Sequence, residues 1–130
     1  MDSALQPVFV YGTLCRQGSN HFRMAGAEWI GSGSVTGRLY RIDWYPGLVL
    51  DAAAGDEVHG ELFAVSSALL AELDLFEGLA AGELAGSEYR RVKVDVRLHS
   101  GETQLAWVWE WIGPTDERAR LFHGNWLKVE

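Results

Sequence analysis

The chain is short of several things, and each shortage removes a class of function. It has one cysteine, Cys15, so neither an internal disulfide nor a cysteine-based zinc site can form within it. Its four histidines (His21, His59, His99 and His123) show no close metal-ligand spacing, so no zinc motif is expected. Positive charge is scarce: 11 Lys and Arg stand against 18 Asp and Glu, a net charge of −7. That balance argues against binding a phosphate backbone, which needs clustered cations, so no nucleic-acid partner is expected. No apolar run approaches the roughly 20 residues of a membrane helix, and no membrane partner is expected. The start, Met1-Asp2-Ser3-Ala4, carries no basic segment followed by an apolar one, so the expectation is a cytoplasmic protein. Neither a Gly-x-Ser-x-Gly elbow nor a phosphate loop is present.

What remains is ordinary for a folded domain. The 130 residues are 48% hydrophobic and 22% charged, which suits one domain, residues 1–130, with a core of its own. Fifteen glycines punctuate short apolar runs. Residues 7–11 read as a buried strand of β-formers that stops at Gly12. A polar stretch follows over 13–20, then a short helix or irregular segment over 21–30, where Gly26 weakens a helix. Strands are predicted over 34–42, 48–50 and 58–65, with a turn at Tyr45-Pro46-Gly47 that has room for a cis bond and another over 52–55. Residues 89–98 alternate Val92, Val94, Val96 and Leu98 against Arg91, Lys93, Asp95 and Arg97. Ser100-Gly101 then turns the chain into a partner strand over 104–112. That strand is apolar on both faces, with Trp107, Trp109 and Trp111 opposite Ala106, Val108 and Ile112, and so requires cover on both sides. The fold class is α+β: a curled sheet or barrel of about six strands carrying one main helix. The last segment, 113–130, has Phe122, Trp126 and Leu127 with which to dock.

The helix, predicted over 66–78, holds the most informative residue. Ser66 or Ser67 supplies an N-cap, and Gly78 stands where a left-handed residue ends a helix. Wound at about 100° per residue from Leu69, the wheel puts Leu73 near 40°, Leu70 near 100° and Phe76 near 340°. Glu77 falls near 80°, inside this apolar stripe, whereas Glu72 and Asp74 fall outside it and are expected in solvent. Burial and the negative end of the helix both raise the pKa of such a carboxyl, as a general acid/base requires. A glutamate in a last turn can instead fray outward with its head in water. Tyr11-Gly12-Thr13-Leu14 ends the first strand in a turn whose N–H groups can cradle an anion, with the Thr13 hydroxyl beside them, or in a plain strand-ending turn. Tyr89 is either a pocket residue or core. Cys15 has no neighbour that would lower its thiol pKa, and it reads as structural or as a bystander at the pocket rim.

Five blocks, in order, resemble the γ-glutamylcyclotransferase-like superfamily of small AIG2-like and YtfP-like proteins. They are Val8-Phe9-Val10-Tyr11-Gly12-Thr13-Leu14; Gly37-Arg38-Leu39-Tyr40 with Tyr45-Pro46-Gly47-Leu48-Val49; Val58-His59-Gly60-Glu61-Leu62-Phe63; Leu73-Asp74-Leu75-Phe76-Glu77-Gly78; and Tyr89-Arg90-Arg91. The resemblance implies a small mixed β-barrel with short flanking helices. It also implies cyclisation of a γ-glutamyl amine or γ-glutamyl amino acid to 5-oxoproline with release of the amine. Glu77 would be the acid/base, and Tyr11, Gly12, Thr13, Leu14 and Tyr89 would bind the substrate, with no cofactor and no metal. The expected partner is that small γ-glutamyl molecule, and the protein a monomer or weak homodimer. The alternative is a non-catalytic ligand-binding or regulatory module on the same fold.

Overall fold

In the computed structural model, residues 4–53 and 56–128 are described. Six strands form: β1 (Gln6–Val10), β2 (Glu28–Arg41), β3 (Pro46–Leu50), β4 (Glu57–Val65), β5 (Tyr89–Leu98) and β6 (Thr103–Trp111). One α-helix, α1 (Ser67–Phe76), follows β4, and single 3-10 turns occupy His21–Met24, Glu117–Ala119 and Trp126–Lys128. The sheet runs β3-β2-β4-β1-β6-β5, and a β2–β5 pairing (Gly33 with Leu98, Ser34 with Arg97) closes it. Five strands therefore ring a barrel while β3 extends from the later half of β2. Only β1 and β6 run parallel among these pairings, with Val8 opposite Trp107, so the barrel is mixed.

Alternation sorts the core into two layers, as a closed sheet demands. Phe9, Leu62, Val96, Ala106 and Val108 join one cluster inside the barrel. Val8, Val10, Phe63, Trp109 and Trp111 point the other way and join Leu69, Leu70 and Leu73 of α1. The two-faced cover expected of β6 is therefore present, although Ile112 lies beyond the strand and is exposed.

Three boundaries differ from the sequence reading. β2 begins at Glu28 and not near residue 34, because it pairs with β4 from Glu28–Ala64 onward through an irregularity between Trp29 and Gly31. Residues 21–30 accordingly split into a 3-10 turn and the start of that strand. Pro46 and Gly47 belong to β3; the chain reverses just before them, where the Ile42 and Asp43 N–H groups donate to the Tyr45 carbonyl at 3.1 and 3.2 Å. All described peptide bonds are trans, that before Pro46 included. The predicted turn over 52–55 includes Ala54 and Gly55, which lie outside the described residues.

The late segment docks. His59 N–H donates to the Gly124 carbonyl at 2.8 Å, Leu121 N–H to the Leu39 carbonyl at 2.7 Å, and Trp126 is buried in the barrel cluster. Phe122 stays exposed.

Candidate active site

Glu77 owes its position to how α1 stops. Ser66 Oγ accepts the Leu69 N–H at 3.1 Å at the start of the helix. At its end the Leu79 N–H reaches the Asp74 carbonyl at 2.9 Å, and the Gly78 N–H reaches the Leu75 carbonyl at 3.1 Å. This paired arrangement needs a left-handed residue between, and Gly78 supplies it with φ of +87°. Glu77 is thereby the last residue before the chain leaves the helix axis. It lines a cavity of about 160 Å³ together with residues of β1, β3, β5 and β6.

Asp74 corrects an expectation. It is buried rather than solvated, because its position on the wheel, one step past Leu70, faces β5 and β6. There its Oδ1 accepts the Trp109 indole N–H at 2.9 Å and lies 2.9 Å from Arg91 Nε. Arg91 in turn lies over the Trp107 ring, 4.2 Å from its centroid. The last turn of α1 is thus tied to two strands by a largely buried ion pair, three residues before Glu77.

Tyr11, Gly12, Thr13, Leu14 and Tyr89 all line the same cavity as Glu77. Gly12 lies so close to β3 that a Cβ there would fall 2.6 Å from Pro46 Cγ. The turn after it is braced from several sides: Cys15 N–H to the Gly12 carbonyl at 3.1 Å, Asn20 N–H to the Thr13 carbonyl at 2.8 Å, and Arg16 N–H to buried Glu61 at 2.7 Å. Among the described residues, no acceptor takes the N–H groups of Gly12, Thr13 or Leu14. Runs of consecutive N–H groups without an acceptor are the material from which anion-holding nests are made, and these three belong to residues that line the cavity. Thr13 Oγ accepts from Asn20 Nδ2 at 3.1 Å, which leaves its own hydrogen to donate.

The two tyrosine hydroxyls are otherwise employed. Tyr11 donates to the Trp109 carbonyl at 2.7 Å and accepts the Leu48 N–H at 3.2 Å, while Tyr89 donates to the Pro46 carbonyl at 2.5 Å. Both residues line the cavity, while their hydroxyls fasten β3 to the barrel. Cys15 is buried, with Sγ 3.4 Å from the Val10 carbonyl, and does not line this cavity.

The electrostatics follow from burial. Desolvation first, then the nearby carboxylates of Glu88 and Asp74, push the Glu77 carboxyl up to about 8. Among the described residues, no cation or hydrogen-bond donor meets that carboxyl. Burial, followed by the charge of Glu77, likewise raises the Tyr11 phenol well above its ordinary value.

Sequence reasoning did not assign six further lining residues to the site: Trp44, Tyr45, Pro46, Phe76, Glu88 and Trp109. Glu88 sits in a glycine-rich loop with no periodicity to mark it, although it directly precedes Tyr89. Tyr45 was legible as a turn residue and as part of the second resembling block, and Trp44 carried no signal of its own. Among the described residues, no group of three or more His, Cys, Asp and Glu is placed to hold a metal ion, and no helix is long and apolar enough to cross a membrane.

Comparison with known proteins agrees with this architecture. Residues 8–128 match the family described as gamma-glutamyl cyclotransferase, AIG2-like. The chain is 34% identical over 122 residues to the gamma-glutamylcyclotransferase family protein YtfP of Escherichia coli strain K12, covering 92% of this chain and 95% of that one. The crystal structure of an AIG2-like protein from Mus musculus has a TM-score of 0.79 at 25% identity, covering 94% and 88% of the two chains. The solution structure of an Arabidopsis thaliana protein has a TM-score of 0.67 at 28% identity, covering 91% and 76%. A five-stranded mixed barrel with one capping helix and a matched sequence along nearly its whole length place this chain in the gamma-glutamyl cyclotransferase, AIG2-like family of cyclotransferase enzymes.

Proposed function

We propose that the protein cyclises a γ-glutamyl amide by intramolecular aminolysis, with Glu77 as general acid/base. The α-amino nitrogen of the substrate attacks its own γ-carbonyl carbon, the bond from that carbon to the leaving nitrogen breaks, and 5-oxoproline and a free amine result. The attacking nitrogen must first lose a proton, and the departing nitrogen must gain one. One carboxyl that titrates near neutrality can do both in turn. Nucleophile and electrophile share a molecule, so the enzyme need only hold a folded conformer, and such proximity is worth several orders of magnitude in rate. The N–H groups of Gly12, Thr13 and Leu14, with the Thr13 hydroxyl, are suited to grip the substrate α-carboxylate or the oxyanion. The reaction is redox-neutral and uses no group carrier, so it calls for no cofactor. A single cysteine and no internal disulfide suit a cytoplasmic setting.

The observation that carries this reading is the Glu77 carboxyl, held without a partner in the cavity that the 11–14 turn also lines and raised to about 8. The test is release of 5-oxoproline from γ-glutamyl amides by the purified protein and its Glu77→Gln variant. A loss of about 10²–10⁴-fold is expected in the variant. Normal turnover by Glu77→Gln, or ligand binding with no product from the wild type, would overturn the assignment.

A further inference from the structure

Beyond the 11–14 turn, the cavity lining is rich in acidic and aromatic residues. Glu77 and Glu88 are the charged residues among those lining it, and no Lys, Arg or His joins them among the described residues. Arg23, over the Phe76 ring at 4.2 Å, is tied to Asn20 and does not belong to the lining. Glu88 is exposed at the rim but fixed in place: the Ile112 N–H donates to its carbonyl at 2.8 Å, and the Tyr45 hydroxyl donates to its Oε2 at 2.8 Å. Trp44 stands edge-on to Tyr45 with 4.9 Å between ring centroids, and it is 57% exposed.

The γ-glutamyl head brings one carboxylate, and the cradle of N–H groups suits it. A leaving amino acid would bring a second carboxylate next to the scissile nitrogen. That charge would face Glu77 and Glu88 with no cation in the cavity wall to offset it. A leaving amine with a distant ammonium meets the reverse: a fixed carboxylate and an exposed indole in the same lining, both groups that attract cations. We propose that Glu88, held by Tyr45 in a lining that also includes Trp44, is a specificity-determining residue that selects γ-glutamyl amides of diamine-type amines over those that release a carboxylate-bearing amine. This rests on the cyclisation assigned to Glu77.

The test uses three γ-glutamyl amides of similar length that differ at the far end: those of 1,4-diaminobutane, butylamine and 4-aminobutanoic acid. The wild type is expected to favour ammonium over carboxylate by about tenfold in kcat/KM, with the neutral amide between, the scale of a partly shielded charge pair. Glu88→Gln collapses that ratio, Glu88→Arg reverses it, and Tyr45→Phe, which frees the Glu88 carboxylate, narrows it. Removing Glu88 also lowers the Glu77 pKa, but this affects every substrate alike and cancels in the ratio. Equal turnover of the three amides by the wild type, or a ratio unchanged in Glu88→Gln, overturns the proposal. If none of the amides is cyclised, the cyclisation reading is what fails. Calorimetric Kd values for the same amides then still read the subsite: tighter binding of the ammonium amide supports it, and equal binding overturns it.

Discussion

Replacing Glu77 by Gln should change how stability depends on pH, independently of any assay of turnover. In the folded protein the carboxyl titrates near 8, whereas its ordinary value is 4.5. Below pH 4.5 both folded and unfolded chains hold the proton, so the residue contributes no pH dependence. Between 4.5 and 8 the folded chain keeps a proton that the unfolded chain has released, so stability falls as pH rises. Above 8 both are ionised and the loss is complete. The gap corresponds to a ceiling of about 5 kcal/mol. The cavity is open to water, whose screening reduces the expected effect to about 2–3 kcal/mol. Gln has nearly the same shape and no charge, so Glu77→Gln should match the wild type near pH 4.5 and exceed it by that amount at pH 9. Urea denaturation of both proteins at several pH values isolates the effect, because every other titrating group is common to both. The same ionisation should appear in catalysis as a kcat/KM that rises tenfold per pH unit up to about pH 8, since this ratio reports the free enzyme. Parallel stability curves from pH 5 to 9 would refute the burial of this carboxyl and the catalytic argument with it.

Asp74→Asn should cost about 3 kcal/mol in chemical denaturation, because it leaves Arg91 largely buried without its counter-charge. It should also lower the apparent pKa in the kcat/KM profile, because one of the charges that raises Glu77 is gone. Gly12→Ala forces a Cβ to within 2.6 Å of Pro46 Cγ, so the turn or β3 must shift. The expected result is a loss of kcat/KM of about 10²-fold from a misplaced cradle, against a modest fall in Tm. Tyr11→Phe leaves the Trp109 carbonyl and the Leu48 N–H without their partner, at about 1–3 kcal/mol each, read as a lower urea midpoint with an unchanged slope.

Much of this protein is local in its sequence. The alternation in Val92, Val94 and Val96 and the two-faced Trp107–Trp111 stretch already required a curled sheet covered on both sides. Ser66 and Gly78 marked the ends of a helix, and its wheel carried Glu77 inward, because a period of 3.6 residues is a property of the backbone rather than of its neighbours. Tertiary contacts decided the rest. Asp74 looked solvated because a wheel has no knowledge of what lies beside it; only the approach of Trp109 and Arg91 from two distant strands makes its burial favourable. Tyr11 and Tyr89 were legible as pocket residues, but not that β3 would claim their hydroxyls. The start of β2 near Glu28 was hidden because its partner β4 lies about 30 residues on, and pairing over that separation leaves no local periodicity to read. Tyr45 and Glu88 meet across a gap of more than 40 residues in loops that carry no pattern. Chain geometry could place the acid on its helix, but the cavity it lines, drawn from β1, β3, β5 and β6, exists only once the barrel has closed.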